Sequence, residues 1–200
     1  NIGDEGGFAP PMDSTREALE VITKAISEAG YAGGKDVFMA MDAAASEFYS
    51  DGRYTVDDRS LLPGELVDFY FDLIGDYPII SLEDPVHEEA FDTMAEMTKK
   101  MGSRVQLIGD DIFVTNEKRI KKAMEVGAGN ATLIKVNQIG TLTEAMEAAQ
   151  LSFSNGYRVV VSHRSGETED TSIADLAVAL GCGQLKTGAP ARSERTAKYN

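Results

Sequence analysis

Apolar and polar positions along this chain follow two alternating rhythms. Short, nearly continuous apolar runs recur, each followed by a longer segment with apolar residues spaced three and four apart. The runs are VFMAMD (37–42), IISLED (79–84), VQLIGDD (105–111), ATLIKVNQ (131–138) and VVVSHR (159–164). Continuous runs of this length suit strands of a parallel sheet covered by helices. The first helix is predicted over 15–30, opened by Ser14 with Glu17 in a capping-box pattern and ended by Gly30. Further helices are expected over 63–76, 88–101, 116–127, 141–156 (opened by Thr141 with Glu144) and 171–181. QLKTG (184–188) is a weaker sixth strand candidate. Residues 50–61 are polar around an Asp51-Gly52 turn and read as a loop excursion, and the Gly- and Pro-rich GDEGGFAPP (3–11) reads as irregular.

The repeat is therefore β-then-α, with strands roughly 25 to 40 residues apart. That rhythm predicts an α/β fold, either a TIM-type (β/α)8 barrel or a doubly wound open sheet. No Gly-x-Gly-x-x-Gly follows any run, which argues against the dinucleotide-binding open sheet. A closed barrel needs eight strands and typically about 250 residues. Five runs and a weaker sixth fall short, so the expectation is a partial barrel holding only the later strands and helices.

Composition narrows the function classes. A length of 200 residues suits one domain, and 42% apolar with 26% charged content is ordinary for a globular protein. No apolar run is long enough to span a membrane, and the chain opens on Asn1 with no signal-peptide pattern. The single cysteine, Cys182, excludes an internal disulfide framework, fits a reducing compartment, and reads as a small core residue. A formal net charge of −14 argues against nonspecific nucleic-acid binding. It also means that any anion site must build local positive charge from metal ions and a few Lys or Arg.

The strand ends carry the candidate chemistry. In a (β/α) barrel the carboxyl ends of the strands converge on the catalytic face. Asp42, Glu83 and Asp110 end three successive runs, and such hard oxygen donors suit Mg²⁺ better than Zn²⁺. Any one of them alone is better explained as a helix cap; three at equivalent points shift the balance toward a metal site. Asp110 and Asp111 are adjacent, so along a strand only one faces inward. Lys135 lies among Leu133, Ile134 and Val136, where a lysine needs a partner or a task, and a general base is one such task. Ser162-His163-Arg164-Ser165-Gly166-Glu167 follows a three-valine run and suits a phosphate or carboxylate clamp as well as it suits a polar turn. Lys186 and the Gly-flanked Glu5 mean little by themselves, and His87 reads as solvated surface.

These segments resemble the enolase (phosphopyruvate hydratase) family along the whole chain. The resemblance is carried by GDEGGFAP (3–10), MDAAASEFY (41–49), SLEDP (81–85), GDDIFVTN (109–116), LIKVNQIGTLTEA (133–145), SHRSGETEDTSIADLA (162–177) and GQLKTGAPARSERTAKYN (183–200). It implies a C-terminal catalytic barrel domain over 1–200, with the family's N-terminal α+β domain and first barrel strands absent. It implies a cytoplasmic glycolytic lyase, with a cell-surface or secreted pool, that interconverts 2-phosphoglycerate and phosphoenolpyruvate. By that resemblance Glu5 is the general acid, Lys135 the base, and Asp42, Glu83 and Asp110 the high-affinity Mg²⁺ ligands. His163, Arg164, Ser165 and Lys186 become substrate-binding, with Arg164 and Ser165 toward the phosphate and Lys186 toward the carboxylate. The family uses two Mg²⁺ per site and forms homodimers or octamers; the ligands of the second metal lie outside these residues. The 200-residue chain alone is expected to have little activity. The alternatives are another proton-abstracting superfamily enzyme and a noncatalytic binding or surface-adhesion module.

Overall fold

The structure, a computed structural model, describes residues 1–200. The chain forms two compact units: Met12–Ile112 with Lys122–Asn130, and Asn1–Pro11 with Phe113–Lys121 and Ala131–Asn200.

The first unit opens with α1 (Thr15–Glu28). Ser14 Oγ accepts from Glu17 N at 3.2 Å, as the capping pattern predicts. The Glu17 carboxylate reaches back one residue further than the box requires, accepting from Asp13 N at 2.7 Å. Strands β1 (Met39–Asp42), β5 (Ile79–Glu83) and β6 (Gln106–Gly109) are parallel neighbours in that order. Two helices supply the apolar cover. α2 (Pro63–Asp76) buries Leu66, Val67, Tyr70, Leu73 and Ile74, and α3 (Phe91–Met101) buries Phe91, Met94, Met97 and Met101. Both sets follow the helical period, and each such side chain contributes about 1.5–3 kcal/mol on burial. Asn130 closes the α3–β6 connection. Its Oδ1 accepts from Leu107 N at 2.7 Å, while Nδ2 donates to Gly102 O and Val105 O at 3.0 and 3.1 Å.

The polar stretch expected to be a loop is instead a three-stranded antiparallel meander: β2 (Tyr49–Ser50), β3 (Arg53–Val56) and β4 (Arg59–Leu61). Both of its turns use left-handed residue pairs, Asp51-Gly52 at φ 50° and 80° and Asp57-Asp58 at 49° and 56°. Such pairs match the twist of two-residue hairpins. Tyr54 is the meander's anchor, fully buried, with its hydroxyl accepting from His87 N at 3.0 Å. His87 itself is half-buried against the Tyr49 ring rather than solvated.

In the second unit β7 (Ala131–Ile134), β8 (Arg158–Ser162) and β9 (Leu185–Lys186) are parallel, in that order. The weak sixth strand is therefore real, pairing Ser162 with Lys186. The ATLIKVNQ run is not all strand. It stops at Ile134, and Val136–Ile139 form the single turn α5, ended by Gly140 at φ 117°. Three helices complete the unit: α6 (Leu142–Ser154), α7 (Ser172–Leu180) and α8 (Ser193–Tyr199). One of the four points where the chain passes between the units falls within α4 (Glu117–Val126). Residues 1–9 form a tight turn, with Gly3 N donating to Gly7 O at 2.8 Å and Ile2 bridging Phe8, so Glu5 sits at its tip.

Candidate active site

Every candidate residue on a strand lies at its carboxyl end or one position past it. Asp42 and Glu83 are the last residues of β1 and β5, and Lys186 is the last of β9. Asp110, Lys135 and His163 each stand one residue beyond a strand. Lys135 is thus half-buried at a strand end, not within a strand.

In the first unit, Asp42 and Glu83 are direct register partners on adjacent parallel strands, so their side chains project to the same face. Glu83 pairs in turn with Ile108, two residues before Asp110. The register therefore sets the three expected metal ligands side by side along one edge. Glu83 and Asp110 are buried, while Asp42 is exposed.

The acidic oxygens that gather within 4.8 Å of one another belong to Asp84, Asp110 and Asp111, a set of which only Asp110 was expected. Asp84 has a definite structural task there. Its backbone turns left-handed at φ 40°, and its carboxylate accepts from Asp110 N at 2.9 Å and from Asp111 N at 2.6 Å. It thereby closes the turn that presents Asp110. Burial pushes the Asp84 carboxyl up to about 7, against the pull of those two N–H donors. The donor set of this edge is entirely carboxylate oxygen, which fits a hard divalent cation such as Mg²⁺.

In the second unit, Glu5, His163 and Ser165 come together from opposite ends of the sequence. Glu5 Oε1 accepts from Ser165 Oγ at 3.3 Å, and Glu5 Oε2 stands 3.2 Å from His163 Nε2. That second pair lacks the alignment of a hydrogen bond, and Nε2 is buried without a partner. Lys186 O accepts from His163 N at 3.0 Å, and Ala189 N donates to Glu5 O at 3.0 Å, so β9 braces His163 and the segment just after it braces Glu5. The loop after β8 is fixed from inside. Arg164 N donates to Glu167 Oε1 at 3.0 Å, leaving the Arg164 guanidinium half-exposed near Asn137 Oδ1 at 3.3 Å. Lys135 N donates at 2.9 Å to the hydroxyl of fully buried Thr115.

Several supporting residues carry no chemical signature in sequence. Thr115 and Val114 both have left-handed backbones, at φ 55° and 45°, where β-branched residues are strained. Arg195 and Lys198 are the two buried residues of α8. Their spacing of three puts them on one face, the only sequence signal that could have found them. Gly188, at φ +81°, lets Glu5, His163 and Arg195 approach. A Cβ there would stand 2.8 Å from Glu5 O and 2.9 Å from Arg195 Cδ. A separate cavity of about 630 Å³ lies in the second unit among Leu142, Met146, Ile173 and Leu176, with Glu167 on its wall. None of the expected catalytic or binding residues lines it.

Known proteins resemble this chain along its whole length. Residues 1–200 match the family model described as the enolase C-terminal TIM barrel domain. The chain is 61% identical to an enolase of Methanopyrus kandleri, over 100% of this chain and 47% of that protein. It is 60% identical to an enolase of Methanocaldococcus jannaschii, over 100% of this chain and 46% of that protein. A Thermococcus gammatolerans enolase is 59% identical, again over the whole chain. The chain spans about half the length of the curated relatives it matches. A family match over all 200 residues, together with about 60% identity to enolases along the whole chain, means that the chain belongs to the enolase family, in its C-terminal TIM barrel domain.

Proposed function

We propose that a protein containing this chain is a Mg²⁺-dependent lyase that interconverts 2-phosphoglycerate and phosphoenolpyruvate. The observation that carries this reading is the Glu5–Ser165–His163 group. A carboxylate from a glycine-flanked turn meets the two residues that the resemblance places at the substrate, although 160 positions separate Glu5 from Ser165. In this reading Glu5 gives a proton to the departing hydroxyl and Lys135 takes one from the carbon beside the carboxylate. Both steps are general acid–base work that contributes about 10²–10⁴-fold each. Arg164 and Ser165 hold the phosphate, His163 donates from Nε2, and Lys186 faces the substrate carboxylate. Asp42, Glu83 and Asp110 would hold Mg²⁺, with Asp84 fixing the Asp110 turn. When bound, Mg²⁺ neutralises charge that builds on the substrate carboxylate. The enolase superfamily is the general physical-chemistry example of a Lys or His base working with one or two Mg²⁺.

Residues 1–200 act here as the catalytic domain, in a cytoplasmic homodimer or larger homo-oligomer, and no helix is long and apolar enough to cross a membrane. The test is phosphoenolpyruvate formation, followed by ultraviolet absorbance, in a protein of the relatives' full length that carries this chain. Activity should need Mg²⁺, fall at least about 10²-fold in Lys135→Ala, and be small for the 200-residue chain alone. Full activity in Lys135→Ala would remove Lys135 as base. Absence of activity in every long form would favour a binding module.

A further inference from the structure

Arg195 is the largest fully buried side chain of the protein, and no step of the proposed reaction uses it. Its guanidinium is spent on the active-site loops. Nη1 lies 2.5 Å from His163 Nδ1 and donates to Arg164 O at 2.8 Å. Nη2 donates to Ser165 O at 2.7 Å and to Asp4 O at 3.3 Å. One cation thus ties the turn bearing Glu5 to the loop bearing His163, Arg164 and Ser165.

The chemistry of that first contact decides the state of the imidazole. A guanidinium carries only donors and does not lose its proton in a protein. His163 Nδ1 must therefore accept, so it has no proton. Burial first, then the nearby charges of Arg195 and Lys186, push His163 below its ordinary value, against the pull of Glu5 and Glu167. The ring is neutral near pH 7, and a neutral imidazole unprotonated at Nδ1 carries its proton on Nε2. That nitrogen is the buried, unpartnered one, 3.2 Å from Glu5 Oε2.

We propose that Arg195 is a positioning residue that locks His163 in the Nε2–H tautomer and aims that proton at the space beside Glu5. A histidine so held is a fixed donor for a substrate oxygen. It cannot take a proton at Nδ1 without facing the guanidinium, so proton transfer on this side falls to Glu5. The role of the Nε2–H in catalysis rests on the proposed lyase reading, but the tautomer does not. Gly188 supports the arrangement, because a side chain there would push on Glu5, Arg195 and the His163 ring together.

The test reads the tautomer directly. Nitrogen-15 spectra of the ligand-free, histidine-labelled protein at neutral pH, assigned with His163→Gln, should show Nδ1 unprotonated and Nε2 protonated. A charge-assisted donor at Nδ1 should favour that form by about tenfold or more. Arg195→Gln, whose amide can accept as well as donate, should give a mixed population and raise the acid limb of the kcat/KM profile. Arg195→Lys, which restores a cationic donor, should return the tautomer toward the original. An Nδ1–H form in the unaltered protein would overturn the proposal without any variant. So would an Arg195→Gln protein with an unchanged tautomer and pH profile. A correct tautomer in a protein without lyase activity would sink the functional reading and leave this one standing.

Discussion

Lys198 is the most consequential ammonium in the second unit, and Lys198→Met tests why. Its side chain is 1% exposed, and its Nζ has three acceptors for three protons: Glu167 Oε2 at 2.9 Å, Thr168 O at 2.6 Å and Glu194 O at 2.7 Å. The Glu167 carboxylate is 12% exposed and also accepts from Arg164 N. Methionine fills nearly the same stem volume, so little cavity opens. What is lost is the charge that makes burial of Glu167 tolerable. Removing one partner of a buried pair costs about 3–5 kcal/mol, and residual exposure of Glu167 places this case near the lower end, about 3 kcal/mol. Adding Glu167→Gln to Lys198→Met should recover about 1–2 kcal/mol, because the stranded charge is gone.

The pH dependence of the same pair has a definite sign. Burial raises the Glu167 carboxyl, but the Lys198 and Arg164 contacts outweigh it and hold the group below its ordinary 4.5. A depressed folded value contributes stability above pH 4.5 that is lost as pH falls through the folded value. Urea unfolding followed by circular dichroism, at neutral pH and through the acid range below 4.5, checks both statements. Amide exchange over 163–172 reports the same loss locally. A Lys198→Met protein within about 0.5 kcal/mol of the original, or one with the same acid limb, would refute the reasoning.

Three further outcomes are expected. Gly188→Ala combines left-handed strain of about 1–2 kcal/mol with overpacking of about 1–3 kcal/mol, so urea unfolding should show a loss of at least about 2 kcal/mol; less than 1 would contradict the close approach. Thr115→Val strands Lys135 N and should cost about 1–3 kcal/mol, whereas Thr115→Ser keeps the hydroxyl and should retain most of the stability. Asp84→Asn turns an amide group toward a backbone N–H and disorders the Asp110 turn, so calorimetric Mg²⁺ affinity should fall about 10–100-fold; an unchanged affinity would show that the turn does not depend on Asp84.

The strand-end residues were legible because a parallel strand covered on both faces must be apolar, so a polar residue at its end stands out. That is how Asp42, Glu83, Asp110, Lys135 and His163 could be found without a fold. Glu5 had no such contrast and entered only through the resemblance. The 49–61 meander was missed because its strands are polar and two to four residues long, and its second turn uses Asp57-Asp58 in place of a glycine pair. Lys135 was misplaced by one residue because Leu133 to Val136 reads as one apolar run. The break comes from Thr115, a hydroxyl 20 positions upstream that captures the backbone N–H. Asp84 was not singled out beside Glu83, although it is the member of the pair that shapes the neighbouring turn.

Arg195 and Lys198 show what pattern reading cannot price. On a seven-residue terminal helix, two cations look like solvated surface, yet they are the residues that α8 buries. The difference lies in how each charge is met. Lys198 is neutralised by Glu167, so its contribution is to order the loop. The hydrogen bonds of Arg195 go to an imidazole and to carbonyl oxygens, so no carboxylate among them cancels its charge. A positive charge held this way, in a low-dielectric interior beside the backbone of Arg164 and Ser165, acts on its surroundings more strongly than an exposed one would. Under the proposed function, it is one local source of the positive charge that an anionic substrate needs in a chain of net charge −14. Of the two buried cations of α8, only Arg195 leaves its charge uncancelled by a hydrogen-bonded carboxylate, and it does so where the loop after β8 turns.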